Sequence, residues 1–327
     1  MTTSPSQSER SEKGNRYKVE EAAGLSLWAD AMRRIRRDWV AVLCLFVIGL
    51  YVLIALGGLV YEILADHYES IPRFSETVNY AQSNLPPSAD HWTLWLGTDW
   101  AGKSVLVKTL LGAKVSITVA FMANIIAVPL GMILGAIAGY YGKRTDAFIV
   151  WLFTTLSSIP GIILLIALKY AFKGIHLGPV DLSGIHGLYL ALGIISWVNT
   201  CRLVRAEVFK IRELDYVQAA RAIGVSNHRI LVRHVLPNVS HLAIINFSLG
   251  FVGAITAEVI LSYLGLGVAV GTPSWGSMIN AARMDLFIGR WWELTSAVMA
   301  MFFLILALNL FGDRLRDALD PRLKNVS

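Results

Sequence analysis

Residues 39–61 read WVAVLCLFVIGLYVLIALGGLVY, 23 residues without one Asp, Glu, Lys or Arg. A bilayer's hydrocarbon core needs about 20 predominantly apolar residues in a helix. The run begins too late and is too long for the apolar part of a secretory signal, so it predicts a retained membrane-spanning helix. Outward from it the pattern recurs. Uncharged, largely apolar windows cover 115–142, 147–168, 182–201, 234–257 and 294–312. The expectation is an all-α integral membrane protein with six transmembrane helices. A seventh uncharged window, 259–282, contains Gly265, Gly267, Gly271, Pro273 and Gly276. Glycine and proline at that density read as a loop or re-entrant turn.

Composition supports the same class. Of 327 residues, 55% are hydrophobic and only 16% are charged, against about 25% charged in a soluble domain. The mean hydropathy is +0.56. The net charge of +6 would suggest nucleic acid for a soluble protein. In a membrane protein it suggests basic cytoplasmic loops. The two cysteines, Cys44 and Cys201, sit in or beside apolar runs and make neither a disulfide framework nor a metal site.

Charge placement orients the chain. With both termini inside, the inside segments hold 21 Lys and Arg and the outside segments hold 8. That asymmetry predicts an N-in, C-in arrangement. The chain then divides into a disordered cytoplasmic tail (1–24), a basic interfacial helix (25–38) and the first span (39–61). An extracytoplasmic loop with an interfacial helix follows (62–114). A core of five spans (115–312) contains one long inside loop (202–237), and 313–327 form a cytoplasmic tail. The segment before the first span carries Arg33, Arg34, Arg36 and Arg37, as a membrane-surface helix does.

One motif points elsewhere. Gly97-Thr-Asp-Trp-Ala-Gly102-Lys103-Ser104 satisfies the phosphate-binding pattern G-x-x-x-x-G-K-[ST]. A working P-loop follows a buried strand and opens a helix whose N–H groups cradle phosphate. Here only Thr93–Leu96 precede it, and no alternating strand–helix pattern exists to build a parallel sheet. The match reads as accidental, and the chain as no enzyme: no catalytic residue is assigned.

The inside loop has a helix–Gly–helix design. Asp215-Tyr-Val-Gln-Ala-Ala-Arg-Ala-Ile-Gly224 reads as a helix capped by glycine. A second stretch carries Arg229 and Arg233 and is ended by Leu236-Pro237. This segment resembles the EAA loop of ABC importer permeases: Glu-Ala-Ala, three residues, Gly, nine residues, Ile-x-Leu-Pro. Gln218-Ala219-Ala220, Gly224 and His234-Val-Leu236-Pro237 keep every spacing, with Gln for Glu and His for Ile. Leu96-Gly-Thr-Asp99, Leu261-Ser-Tyr-Leu-Gly-Leu-Gly267, Pro273-Ser-Trp-Gly276 and Asp320-Pro-Arg322 are similar to segments of the dipeptide and oligopeptide branch, C-type subunit. The resemblance covers about residues 25–323.

The resemblance implies a multi-pass permease subunit in a bacterial inner membrane. It would form half of a pore for peptides or similar small solutes. Its implied partners are a second permease in a heterodimer, two cytoplasmic ATPases and an extracytoplasmic solute-binding protein, with no nucleic acid. ATP and Mg would sit on the ATPases, leaving this chain no cofactor and no metal. Asp215, Tyr216, Gln218, Ala219, Ala220, Arg221, Gly224, Arg229, Leu236 and Pro237 would form the ATPase-coupling loop between spans 4 and 5. Within the spans, Glu258, Asn246 and Asn199 are candidates for pore or gating roles, because intramembrane polar groups are costly. Gly131, Gly135 and Gly139 form a small-residue stripe suited to helix packing. The competing reading is a self-contained channel or secondary transporter. That class predicts paired ionisable residues at mid-membrane and an inverted repeat.

Overall fold

The computed structural model describes residues 27–319, apart from 71, 179, 269 and 270. The expected tail at 1–24 and residues 320–327 of the second tail lie outside the described residues. Helix α1 covers Leu27–Arg37 and α2 covers Trp39–His67. Asp38 separates them and caps α2, its carboxylate accepting the Val40 N–H at 2.9 Å. After a long loop come α3 (Val105–Tyr141), α4 (Lys143–Ser157) and α5 (Gly161–Ala171). A two-residue hairpin, His176–Leu177 with Val180–Asp181, precedes α6 (Ile185–Ile211). Then follow α7 (Asp215–Ala222), α8 (Asn227–Ile230) and α9 (Leu236–Tyr263). The chain closes with α10 (Trp275–Ala282) and α11 (Trp292–Leu319).

Five helices are long and apolar enough to cross a membrane: α2, α3, α6, the run from α8 through α9, and α11. The span expected at 147–168 is broken rather than continuous. That window is split between α4 and α5, which are bent by 91° to each other. Pro160 sits in the break, with φ −54° and ψ 124°. Its ring supplies no N–H and disfavours helix at the residue before it. Pro129, by contrast, lies inside the continuous α3. The molecule is thus a mostly helical membrane protein with five spans and a bent sixth candidate.

The expected interfacial helix within 62–114 is corrected too. Residues 62–67 complete α2, and residues 105–114 belong to α3. Between them the described residues hold only two single-turn 3-10 helices, Tyr80–Gln82 and Trp92–Leu94. Charge ended the uncharged windows early at both places. Those charges are paired, however: Lys114 with Glu62, and Lys108 with Asp99 and Glu293. Pairing removes the cost that made them look like span ends.

At the centre α3 packs along α6. A Cβ on Gly131, Gly135 or Gly139 would lie only 2.5, 2.6 and 2.8 Å from the carbonyl oxygens of Trp197, Cys201 and Arg205. The stripe therefore sets the spacing of the two helices. On the other side, α10 is held by a reciprocal Ser274–Ser277 capping box. Its Trp275 is fully buried, and the indole N–H donates to the Thr109 carbonyl at 3.0 Å. Tyr51 meets that ring edge-on at 6.0 Å. The Tyr51 hydroxyl also donates to the Ala300 carbonyl, tying α2 to α11.

Candidate functional site

The Asp215–Pro237 segment is an ordered surface with two unlike faces. Val217 and Ala220, three residues apart on α7, point inward and are buried. They pack among Ile230, Leu231, Val235 and Val239 and against Ala136 and Tyr140 of α3 and Val204 and Val208 of α6. The other face presents Leu214, Asp215, Tyr216, Ala219, Arg221 and Ala222 to solvent. Ile223, just past the helix, is 80% exposed. Asp215 in the first turn suits the positive end of the helix dipole.

Gly224 terminates α7 with φ +80°. The Val225 N–H donates to the Ala220 carbonyl and the Gly224 N–H to the Arg221 carbonyl, each at 3.1 Å. Those two bonds make a Schellman motif, which needs a left-handed residue at this position. A Cβ there would meet nothing within 4 Å, so backbone conformation, not crowding, requires the glycine.

Side-chain hydrogen bonds fasten the segment to its base. The Gln218 amide donates to the Arg212 carbonyl at 3.1 Å and to Glu213 Oε2 at 3.4 Å. Arg212 Nη1 donates to the Gly139 carbonyl at the end of α3. The Tyr140 hydroxyl donates to Asn227 Oδ1 at 3.0 Å, and Asn238 Nδ2 donates to the Tyr216 hydroxyl at 3.1 Å. Arg221 lies over the Tyr140 ring at 5.6 Å. Arg229 is exposed on α8.

Leu236-Pro237 does not end the helix as expected. A π-helical turn at Leu231–Val235 joins α8 to α9, and the helix runs on through Pro237. A π-turn shifts the hydrogen-bond register. It accommodates a proline that brings no N–H to the ladder.

The intramembrane candidates separate. Glu258 on α9 is 0% exposed. Its oxygens accept from Ser116 on α3 at 2.9 Å and from Ser262 at 2.7 Å. The Ser116 hydroxyl bond joins α9 to α3. Asn246 is buried and donates to the Leu242 carbonyl one turn back. Asn199 is exposed on α6. The structure does not bring these three together.

At the opposite end lies a cluster that the sequence reading did not single out as a site. Lys108 Nζ stands 2.8 Å from Asp99 Oδ2 and 2.6 Å from Glu293 Oε1, all three largely buried. Asp99 Oδ1 also accepts the N–H groups of Ala101 and Lys103 at 2.9 Å. The Trp292 indole donates to the Thr98 carbonyl. This is the interior of the segment that matches a P-loop pattern, and the cradle is filled by its own chain. Lys103 Nζ donates to the Phe74 and Ser75 carbonyls, each at 2.9 Å, and burial lowers its pKa. The available signal was two isolated charges, Lys108 and Glu293, beside apolar windows at the same end of the molecule.

Comparison with known proteins agrees with this architecture. Residues 131–325 match the family described as binding-protein-dependent transport system inner membrane component. Residues 26–87 match the N-terminal TM domain of oligopeptide transport permease C. The chain is 35% identical over 300 residues to the dipeptide transport system permease protein DppC of Bacillus subtilis (strain 168), covering 92% of this chain and 87% of that one. It is 32% identical to the oligopeptide transport system permease protein OppC of the same organism, covering 92% and 91%. The glutathione transport system permease protein GsiD of Pectobacterium atrosepticum is 33% identical, covering 91% and 92%. An inward-facing structure of the MetNI methionine ABC transporter shares the fold, with a TM-score of 0.50 at 16% identity, covering 65% of this chain and 95% of that one.

Proposed function

The chain belongs to the family of inner membrane components of binding-protein-dependent transport systems, and on that premise we propose that it forms half of an ATP-driven import pore for peptides. It is a transmembrane permease subunit of an ABC importer and a multi-pass protein of the bacterial inner membrane. The ATPase is a separate subunit, and a permease of this family works with a partner permease and a solute-binding protein. The peptide substrate follows the names of the dipeptide and oligopeptide relatives. The partner permease is a different chain, making a heterodimer. The bent pair α4–α5 is the sixth span, and both termini face the cytoplasm.

In this reading α7 is the coupling helix. Its exposed face, Leu214 to Ile223, sits in a groove of the cytoplasmic ATPase. ATP-driven closure of the ATPases carries α7 with it as a rigid body. The bonds from Gln218, Arg212, Tyr140 and Asn238 pass that displacement to α3, α6 and α9, which repack between two states. The observation that carries the reading is the asymmetry of α7. Its inner face is locked to three spans, while its outer face presents apolar side chains to solvent. A self-contained transporter has no need of such a face.

The test is Ile223→Glu, which adds charge on the outer face and removes no internal contact. Membrane insertion stays normal. The ATPase subunit no longer copurifies in mild detergent, and uptake falls at least tenfold, the loss of about 1.4 kcal/mol at the contact. Unchanged copurification and uptake would overturn the assignment.

A further inference from the structure

Three of the four arginines of α1 face away from the protein. Ala31 and Ile35, four residues apart, are buried against Leu315 and Leu319 of α11. This seats the helix and leaves Met32, Arg33, Arg36 and Arg37 exposed on its other side. Among the described residues these three arginines form no ion pair. Asp38 accepts the Val40 N–H and pairs with Arg314 at 3.4 Å. Asp317 lines a small cleft with Arg34, Asp38 and Arg314. The outward face is therefore basic.

An apolar track begins two residues beyond Arg37. Trp39, Leu43, Phe46, Leu50 and Leu53 of α2 are all exposed, Trp39 by 74% and Phe46 by 69%. Their spacing of three and four residues puts them on one face of the helix. The track is about 21 Å long at 1.5 Å per residue, enough to cover one leaflet of a hydrocarbon core about 30 Å thick. A basic patch alone would suit any polyanion, and an apolar track alone would suit any lipid. Together, joined by an interfacial tryptophan, they fit one class of ligand.

We propose that Arg33, Arg36 and Arg37, with the Trp39–Leu53 face of α2, form a binding site for an anionic phospholipid. The headgroup phosphate takes charge-assisted hydrogen bonds from the guanidiniums, and an acyl chain lies along the track. The site rests on α2 crossing the bilayer, and it is independent of the coupling role of α7. Variants at Ile223 keep the lipid site even where they lose the ATPase, so the two proposals fail separately.

The experiment uses the full-length permease in its complex, reconstituted into an equimolar mixture of phosphatidylglycerol and phosphatidylcholine. The lipids retained after mild extraction are counted by native mass spectrometry. The natural chain retains phosphatidylglycerol over phosphatidylcholine by at least about tenfold, since each of the three basic residues at a membrane surface contributes up to several-fold. High salt reduces the preference. The R33Q/R36Q/R37Q variant loses most of it, and the R33K/R36K/R37K variant keeps it. Should the triple glutamine variant fail to assemble, R33Q and R36Q singly give graded losses. Three results overturn the proposal: no preference in the natural chain, equal retention by the glutamine variants, or loss of the ATPase subunit from the glutamine triple with lipid retention unchanged. The last would make the patch a protein interface.

Discussion

Gln218 stands where the resembling loop has Glu, and its surroundings explain the amide. Its NH2 donates to the Arg212 carbonyl and to Glu213 Oε2. A carboxylate can donate to neither and would repel Glu213. Gln218→Glu is therefore expected to loosen α7 from its base by about 1 kcal/mol, a modest value because the site is partly wet. Hydrogen exchange should quicken over residues 215–222 and stay unchanged in α2. Uniform exchange across both proteins would refute this. Glu258 allows a sharper contrast. Glu258→Leu strands the hydroxyls of Ser116 and Ser262 and should lower stability in detergent by about 2–3 kcal/mol. Glu258→Gln can still bond to both serines and should stay within about 1 kcal/mol of the natural chain. A pore-lining role would reverse the pattern, altering solute selectivity in the Gln variant with no change in melting temperature.

The spans were legible as apolar windows because the bilayer demands long runs free of charge, and the window at 39–61 sits inside α2. The errors share a physical cause. Window edges are set by charge, while helix ends are set by capping and pairing. Lys108 and Lys114 closed the second window early, yet both lie inside α3, largely buried and paired with acidic side chains. Apolarity also carries no information on direction, so the proline at 160 marks where the chain can kink but not the 91° it turns. The helix–Gly–helix design of 215–237 was legible because its glycine cap answers a backbone requirement; the tethers from Tyr140 to Asn227 and from Arg212 to Gly139 join residues distant in sequence and were not. The glycine stripe gives the test at this scale. Gly135→Val places a Cβ only 2.6 Å from the Cys201 carbonyl oxygen. The α3–α6 pair must part, and about 1–3 kcal/mol of stability should be lost. Gly253→Ala, on α9 with nothing within 4 Å, should be neutral or stabilise by up to about 1 kcal/mol. Equal melting temperatures for the two variants would show that the stripe sets no spacing.

Across the whole molecule, α3 connects two ends that differ in chemistry. Its 37 residues reach about 55 Å. At one end the Gly139 carbonyl accepts from Arg212 beneath α7. At the other, Lys108 holds Asp99 of the 68–104 loop and Glu293 of α11. Lys108 is the buried cation that ties this loop to both α3 and α11. Removing that cation alone leaves two carboxylates facing each other away from water. Breaking such a group by deleting one partner costs about 3–5 kcal/mol, whereas removing the whole group can be nearly neutral. Lys108→Met should therefore detach residues 68–104, made visible as protease cleavage from the outer face, while α7 keeps its exchange protection. The triple variant D99N/K108M/E293Q should recover much of the loop's resistance, even though it has lost more charges than the single variant. If the triple is cleaved faster than Lys108→Met alone, the charges act singly, and the loop is held instead by the Trp292–Thr98 bond and its own backbone.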